Sequence, residues 1–357
     1  MRGSLCAGTK RPVNVQSPSS HPRILVCDDL SEVGLDVLRQ EGFEVLRRAG
    51  LSADELLALV PEVDALLVRS RTRVTDELLA ASSRLRLVGR AGYTLDTIDI
   101  EAATRSGVVV MHSSLGNEIS AAEFAIGLLF SLARRIPQAD ASMRAGRWDK
   151  RRHRGVELTG KTLGVIGMGA VGRNVVQRAL ALQMHVVVHD PGVPASDVAA
   201  LGARSVTWDE VLRTSDFISL HVSASERTRG LIGDAAFEQM KDRVRIVNCS
   251  RGSVIDEGAL VRAIRSGKVA GAALDIWDEE PPVGNPLISM AEVVATPHLV
   301  AATFEAQINV AVTLAEQVRD FFLHGSCEGV VNPEVLDAAA EPGAPASALV
   351  AAEAGNG

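Results

Sequence analysis

Short apolar segments recur along this 357-residue chain between stretches of helical periodicity, and this alternation constrains the fold more than any other feature. Strands that alternate with helices form βαβ units, in which helices cover both faces of a parallel sheet. Because the segments fall into two series, we predict an α/β protein with two doubly wound parallel-sheet domains. The first series comprises residues 24–27, 66–68, 85–88 and 108–111, and the second comprises 163–166, 186–189, 217–221, 245–248, 271–275 and 293–296.

Composition and charge narrow the class of function. The hydrophobic fraction of 46% and the charged fraction of 23% are those of an ordinary globular protein. A net charge of -7 repels DNA and anionic membranes, so we expect a small-molecule ligand and neither a nucleic-acid nor a membrane partner. The most apolar stretch, 119–133, contains Glu123 and is shorter than the roughly 20 residues of a membrane-spanning helix. We therefore predict a buried helix that joins the two domains.

The cysteines and the chain ends indicate a cytoplasmic protein. The ends, 1–22 and 336–357, are rich in small residues and proline, and the first lacks the apolar core of a signal peptide, so we expect two flexible tails. The cysteines are widely spaced, which predicts neither a disulfide framework nor a metal site. They are Cys6, Cys27, Cys249 and Cys327.

A G-x-G-x-x-G motif follows the predicted strand at 163–166 and precedes a helical pattern. In this motif Gly167 allows a tight turn, Gly169 lets the backbone approach a pyrophosphate, and Gly172 lets the helix pack on the strand. Asp190 ends the next strand about 20 residues on, where a carboxylate accepts hydrogen bonds from the adenosine ribose and repels a 2'-phosphate. The pattern predicts a Rossmann-like domain that binds NAD rather than NADP. The alternative is a glycine-rich turn that binds nothing, which the strand, helix and acid together disfavour.

Three later segments place polar side chains directly after apolar strands. Arg251 lies in NCSRGSVIDE, Glu280 in LDIWDEEPP and His298 in TPHL. Because parallel strands place their carboxyl ends at one edge of a sheet, these side chains are expected to meet in one crevice. By themselves the residues leave alternatives open, since a lone histidine after proline is usually a surface residue and Glu279 competes with its neighbour.

With these motifs in this order, residues 22 to 333 resemble the D-isomer-specific 2-hydroxyacid dehydrogenases, most closely the phosphoglycerate dehydrogenases of the short type. The resemblance implies an NAD-dependent enzyme that interconverts a small D-2-hydroxy acid and its 2-oxo acid in an active-site cleft between the two Rossmann-like domains. It also implies a homodimer joined through the helix near 120–132 and no further regulatory domain. The domains implied are an NAD-binding domain at 119–298 and a discontinuous substrate-binding domain at 23–118 plus 299–335. Further supporting segments are VRSRTRVT from Val68, VGRAG from Val88, SAAEFAIGLL from Ser120 and GKTLGVIGMGAVGR from Gly160.

The resemblance also implies roles for individual residues. Arg251 binds the substrate carboxylate and polarises the C2 oxygen, His298 is the general acid and base, and Glu280, which directly precedes proline, holds the imidazole. Arg69 and Arg90 match positions that contact a distal phosphate, although an exposed, salt-bridged arginine is an alternative there. The substrate-binding residues implied are Arg69, Arg90, Gly92, Tyr93, Thr94, Arg251 and His298. The cofactor-binding residues implied are Gly167, Gly169, Ala170, Val171, Gly172, Asp190, Val222, Cys249, Ser250, Arg251, Asp275 and His298.

The walls of the inferred crevice depart from the family pattern. Thr94 replaces a glycine, and a β-branched residue resists positive φ. Ser223 stands in place of a usual proline, Leu115 in place of a common asparagine, and Val300 begins a segment that lacks the usual glycine and serine. We hypothesise a substrate other than 3-phosphoglycerate; drift in a tolerant wall is the alternative. A non-catalytic NAD-sensing protein on the same fold is the second class of function, and the intact triad favours the enzyme.

Overall fold

A computed structural model describes residues 21–92, 95–113 and 116–338. The chain divides into two compact units. The terminal unit contains the chain up to Gly116 and from Gln307 onward, and the central unit is Asn117–Ala306. That the central unit holds NAD and the terminal unit holds substrate stays a prediction.

The terminal unit contains a five-stranded parallel sheet in the order β2-β1-β3-β4-β5. Between β1 and β3 the chain order reverses, which creates a topological switch point of the kind where open α/β sheets bind ligands. Its strands are β1 Arg23–Val26, β2 Glu44–Arg47, β3 Ala65–Val68, β4 Leu87–Arg90 and β5 Val109–His112.

Helices cover this sheet and begin at well-formed caps. Ser52 and Glu55 form a reciprocal capping box at the second helix, and the Thr75 and Asp99 side chains accept backbone N–H groups at the next two. These caps fix where each crossover leaves the sheet edge. The helices are α1 Glu32–Gln40, α2 Ala53–Leu59, α3 Asp76–Ala80 and α4 Ile100–Arg105.

The central unit contains a seven-stranded parallel sheet in the order β12-β11-β10-β9-β6-β7-β8. Its strands are β6 Thr162–Ile166, β7 His185–His189, β8 Arg204–Ser205, β9 Phe217–Leu220, β10 Val244–Asn248, β11 Val269–Leu274 and β12 Val293–Ala295. Its helices are α5 Glu118–Arg134, α6 Ile136–Arg144, α7 Ala170–Ala181, α8 Ala195–Ala200, α9 Trp208–Thr214, α10 Asp234–Gln239 and α11 Glu257–Arg265. The switch point lies between β6 and β9, where the glycine motif ends its strand.

The long helix α12 Phe304–His324 begins in the central unit and continues in the terminal unit, and α13 Glu334–Ala338 follows it. Ala311, Leu314 and Val318 of α12 are buried in the core of the terminal unit. A helix that is apolar on one stripe is stabilised mainly by such burial. The C-terminal part of α12 therefore packs in the same core as the sheet formed by the first third of the chain.

The predicted fold class is confirmed, since both sheets are parallel and lie among helices. Two strands were not predicted, β2 and β8, and both lie at sheet edges with largely exposed side chains. Their exposed, polar side chains remove the apolar run that reveals the other strands, including the edge strands β5 and β12. Among the described residues, no helix is both long and apolar enough to cross a membrane. Within the same residues, no cluster of His, Cys, Asp or Glu could hold a metal ion.

Candidate active site

The glycine motif lies at the switch point of the seven-stranded sheet, and each glycine meets a different environment. A Cβ on Gly167, whose φ is 92°, would lie 2.5 Å from the carbonyl oxygen of His221. A Cβ on Gly172 would lie 2.2 Å from the carbonyl oxygen of Gly167. A Cβ on Gly169 would meet nothing within 4 Å. The outer glycines therefore permit close backbone packing, whereas the middle glycine borders open space.

This arrangement fits a dinucleotide. Ala170 and Val171 open helix α7, so their backbone N–H groups are among those without an acceptor inside the helix. The N-terminus of a helix carries partial positive charge that favours a pyrophosphate. The open space beside Gly169 is where a ligand's phosphates would meet these groups.

Asp190 follows β7 and fastens the glycine loop. One carboxylate oxygen accepts the N–H of Met168 at 2.7 Å, and the other accepts the N–H of Gly192 at 2.9 Å. The carboxylate thus holds the loop after β6 against the loop after β7. The sequence pattern predicted a ribose ligand at Asp190, and the loop contact is a second role that the pattern does not reveal.

His221 and Val222 form the floor beneath the glycine loop. A methyl of Val222 lies 3.0 Å from where a Cβ of Gly167 would stand. The Nε2 atom of His221 lies 2.7 Å from the Ser219 hydroxyl, and burial lowers the pKa of His221 to about 4. The ring is therefore neutral at physiological pH and adds no positive charge under the loop.

Arg251 lies in the turn after β10, and Asn248 shapes that turn. The Asn248 side-chain amide donates to the Arg251 carbonyl at 2.9 Å and accepts the Ser250 N–H at 3.0 Å and the Ser250 hydroxyl at 2.8 Å. The half-buried Arg251 guanidinium donates to the Ser250 carbonyl at 2.6 Å. Burial raises the pKa of the neighbouring Cys249 thiol, so the thiol stays neutral.

Gly252 brings the turn that carries Arg251 against the loop after β11. A Cβ at Gly252 would lie 2.0 Å from the backbone carbonyl of Trp277 and 2.3 Å from the N–H nitrogen of Asp278. No larger residue fits there without separating the two loops. This contact joins the segment of Arg251 to the segment of Glu280, and sequence reasoning missed it because the two lie on different strands.

His298 and Glu280 form a direct pair. The His298 Nδ1 atom lies 2.9 Å from one Glu280 carboxylate oxygen, and the other oxygen accepts the Trp277 N–H at 3.2 Å. Both side chains are partly accessible, at 41% for His298 and 38% for Glu280. The pair leaves the His298 Nε2 atom as the ring nitrogen for a ligand. Of the two neighbouring acids, Glu280 is the one whose carboxylate contacts the imidazole.

Asp275 holds the loop that presents His298. This fully buried carboxylate accepts the Thr296 hydroxyl at 2.6 Å and the Leu299 and Val300 N–H groups at 2.8 and 3.0 Å. Its backbone carbonyl accepts the His298 N–H, and His298 adopts a left-handed φ of 56°. The Trp277 indole also donates to the Thr296 carbonyl. Trp277 and Thr296 are positioning residues that the sequence did not reveal, because neither carries unusual chemistry.

The predicted substrate residues of the terminal unit lie at the carboxyl ends of neighbouring strands. The Arg69 N–H donates to the buried Asp28 carboxylate at 2.5 Å, and its guanidinium donates to the Asp29 carbonyl at 3.2 Å. Arg90 is buried, and burial followed by the like charge of Arg69 lowers its pKa. Gly92 follows with a φ of 130°. The structure thus places two guanidinium groups near one another at one sheet edge.

Two departures from the family pattern, Thr94 and Leu115, lie outside the described residues, as does the implied substrate residue Tyr93. Among the described ones, Val300 is buried in the core of the central unit, and Ser223 is exposed with its carbonyl accepting the Thr228 hydroxyl. The Val300 substitution therefore adds apolar contact to the loop of His298.

The central unit matches a family model. The model for the D-isomer specific 2-hydroxyacid dehydrogenase, NAD binding domain, covers residues 126–300, which include the glycine motif, Arg251, Glu280 and His298. The matched residues lie within the central unit, which contains the switch point and the His298–Glu280 pair.

Relatives extend the similarity to most of the chain. A D-3-phosphoglycerate dehydrogenase of Archaeoglobus fulgidus is 46% identical over 297 residues, 83% of this chain and 56% of the relative. The chain thus spans little more than half the length of that relative. The solved TT0316 protein of Thermus thermophilus is 32% identical with a TM-score of 0.76, covering 87% of this chain and 99% of that one. A glyoxylate reductase of Paecilomyes thermophila is 28% identical with a TM-score of 0.77, covering 88% and 99%.

Proposed function

Since the chain belongs to the D-isomer specific 2-hydroxyacid dehydrogenase family, we propose that it is an NAD-dependent oxidoreductase that interconverts a small D-2-hydroxy acid and its 2-oxo acid. The observation that carries the proposal is the 2.9 Å pair of His298 and Glu280 on the same sheet edge as the glycine motif. An imidazole oriented by a carboxylate is suited to exchange a proton with a hydroxyl. The open space at Gly169 supplies room for the cofactor.

The residues divide the work of such a reaction. NAD bound at the glycine motif would supply the hydride acceptor or donor. His298 Nε2 takes the proton of the C2 hydroxyl in oxidation and returns it in reduction, while Glu280 fixes the ring through Nδ1. Arg251 carries a permanent positive charge that suits a carboxylate and a carbonyl oxygen. The loops of the three residues are held together by Gly252 and Asp275.

Preference for NAD over NADP is part of the proposal. The Asp190 carboxylate lies at the end of β7, and the next residues, Pro191 and Gly192, supply no cation. A 2'-phosphate there would meet negative charge. We further propose a cytoplasmic homodimer; the free thiols Cys27, Cys249 and Cys327 support a reducing compartment.

The activity is tested with purified protein, NADH and a panel of 2-oxo acids, followed by the loss of NADH absorbance. The His298→Gln change should lower kcat by about 10²–10⁴-fold, and Glu280→Gln by about 10–100-fold, because proton transfer loses its acid and then its orientation. Glu279→Gln is the matched control and should turn over at the wild-type rate. NADH binding without turnover of any acid would contradict the proposal and favour a binding protein.

The substrate is tested in the same assay. Arg69 and Arg90 at the sheet edge of the terminal unit support an acid with a second anionic group, as in the phosphoglycerate relative. The glyoxylate reductase among the similar structures has a substrate without such a group. Arg69→Gln should raise KM for phosphohydroxypyruvate about tenfold and leave KM for glyoxylate unchanged. Arg71→Gln, an exposed neighbour, is the control, and equal effects on both acids would remove the phosphate assignment.

A further inference from the structure

The seven-stranded sheet has a recess at the edge where its strands begin, opposite the edge of the candidate active site. It is open to solvent and holds about 60 Å³ of space. Four arginines line it, Arg135, Arg154, Arg243 and Arg245, and we call it the arginine recess. Arg245 is near the start of β10, whereas Arg251 follows the end of that strand. A strand rises about 3.3 Å per residue, so roughly 10 Å of strand or more separate the two sites.

Few acidic groups lie near the positive charges of the arginine recess, although Asp216 acts on Arg245 through its negative charge. Among the described residues, none of the four guanidinium groups forms an ion pair, and the one acidic lining residue is the exposed Glu292. Burial lowers the pKa of Arg245, and the like charges of Arg243 and Arg135 lower it further. Four cations held close together repel one another unless an anion lies between them. The net charge of the chain is -7, so this cluster creates a local region of positive charge on a negatively charged protein.

Two of the four arginines adopt backbone conformations that favour glycine. Arg135 has a φ of 53° and Arg243 a φ of 65°. Arg135 is also the C-cap of α5, a position where a left-handed residue is common. The other described non-glycine residues in this region are Gln183 and His298, of which His298 lies at the candidate active site. Strained conformations of this kind concentrate at functional sites.

Buried polar atoms at the arginine recess lack partners. The Nε of Arg135 and the Oε1 of Gln138 are buried, and neither has a hydrogen-bond partner among the described residues. The Gln138 amide nitrogen donates to the Ala291 carbonyl at 3.1 Å, which fixes the side chain. Buried polar groups are ordinarily hydrogen-bonded. The Arg135 Nε–H is a donor that an anion in the recess would satisfy, whereas the Gln138 oxygen is an acceptor and would not.

We propose that the arginine recess binds a small oxyanion with two or more negative charges, a phosphate group or a dicarboxylate. Guanidinium groups bind both through paired N–H donors and carry the charge needed to hold them. A recess of about 60 Å³ suits a small anion. The site is separate from the catalytic residues and does not depend on the proposed reaction.

Binding is tested by titrating phosphate, and in a second arm succinate, at constant ionic strength set with chloride. The readouts are calorimetry and the thermal midpoint of tryptophan fluorescence. Arg243→Gly is the informative variant, because glycine accepts a φ of 65° and the change removes one cation. We expect its midpoint without anion to stay level or rise and its phosphate Kd to increase about tenfold. If Arg243 had only a structural role, its replacement would lower the thermal midpoint without anion and would not selectively weaken phosphate binding.

Arg154→Gln provides a second variant at an exposed position and should also weaken phosphate binding. Arg213→Gln on α9, an exposed arginine that pairs with Asp209 and does not line the arginine recess, is the matched control and should bind phosphate like the wild type. Stronger binding of succinate than phosphate would assign the site to carboxylates. Equal midpoints in phosphate and chloride for the wild type, or unchanged phosphate affinity in both recess variants, would overturn the proposal.

Discussion

Each unit uses a buried aspartate at the end of a strand to hold a loop that carries a predicted ligand-binding cation or imidazole. In the terminal unit Asp28 accepts the Arg69 and Thr72 N–H groups through one oxygen, and its other oxygen has no partner among the described residues. In the central unit Asp275 uses both oxygens to accept three groups in the loop of His298. Both oxygens of the Asp275 carboxylate accept hydrogen bonds, whereas only one oxygen of the Asp28 carboxylate does.

This difference in hydrogen bonding predicts a rigid loop at His298 and a more adaptable loop at Arg69. A loop held by three charge-assisted hydrogen bonds keeps its geometry, which suits an imidazole that must meet a C2 hydroxyl in the same way for every substrate. A loop held by one carboxylate oxygen has fewer restraints. We infer that the Arg69 loop is where substrate preference changes within this architecture.

The largest effect is expected in the central unit from Gly252→Ala, which forces apart the turn of Arg251 and the loop after β11. Its Cβ would lie 2.0 Å from the Trp277 backbone. Overpacking against backbone should lower the free energy of unfolding by about 3 kcal/mol or more. Urea unfolding followed by tryptophan fluorescence measures this, since Trp148, Trp208 and Trp277 all lie in the central unit.

Gly127→Ala is the matched control for that change. Gly127 lies inside α5, and a Cβ there would meet nothing within 4 Å. Alanine is favoured over glycine in a helix by about 1 kcal/mol, so this variant should gain stability. If Gly252→Ala unfolded at the wild-type urea concentration, the close packing of the two loops would be wrong.

The next effect tests the comparison directly. Asp275→Asn replaces an acceptor with a donor beside backbone N–H groups and should lower the free energy of unfolding of the central unit by about 3 kcal/mol. Asp28→Asn should cost less than about 1 kcal/mol, because its amide nitrogen can take the position of the unpartnered oxygen. Tryptophan fluorescence reports the first variant, and circular dichroism reports both.

These two variants should also differ in catalysis. Asp275→Asn should lower kcat for every 2-oxo acid, because the loop of His298 loosens. Asp28→Asn should change KM to a different extent for each 2-oxo acid and leave kcat near the wild-type value. Equal losses of stability in the two variants would show that the unpartnered oxygen of Asp28 has no bearing on how firmly its loop is held.

The smallest expected effect concerns pH and the buried His221 of the central unit. Burial lowers the pKa of His221 to about 4, below its value of about 6.5 in an unfolded chain. The unfolded state therefore binds the proton first, so this contribution is complete above pH 6.5 and is lost as pH falls toward 4. Between pH 7 and 5 the loss amounts to at most about 2 kcal/mol.

His221→Asn isolates this contribution. The variant should show a shallower decline in the free energy of unfolding between pH 7 and 5 than the wild type, measured by urea unfolding at each pH. Tryptophan fluorescence follows the unfolding of the central unit, which contains His221 and all three tryptophans. Parallel pH profiles would mean that His221 titrates normally in the folded protein.

Much of the architecture could be predicted from periodicity. The central strands were found because both of their faces are buried, which leaves a continuous apolar run such as residues 65–68. The edge strands β2 and β8 were missed because exposed faces remove that signal. In the same way, Glu280 was chosen over Glu279 only by family resemblance, whereas the 2.9 Å contact with His298 distinguishes them physically.

The sequence by itself determined the two series of buried strands, the glycine loop and the residue types that carry the chemistry, because each of these depends on neighbours along the chain. Tertiary structure alone decided the close approach of Gly252 to Trp277, the saturation of Asp275 and the gathering of four arginines at the opposite sheet edge. Those features join residues from different strands. The periodicity of the sequence does not reveal such contacts. Which side chains meet depends on the order of the strands in the sheet, and this order differs from their order in the chain.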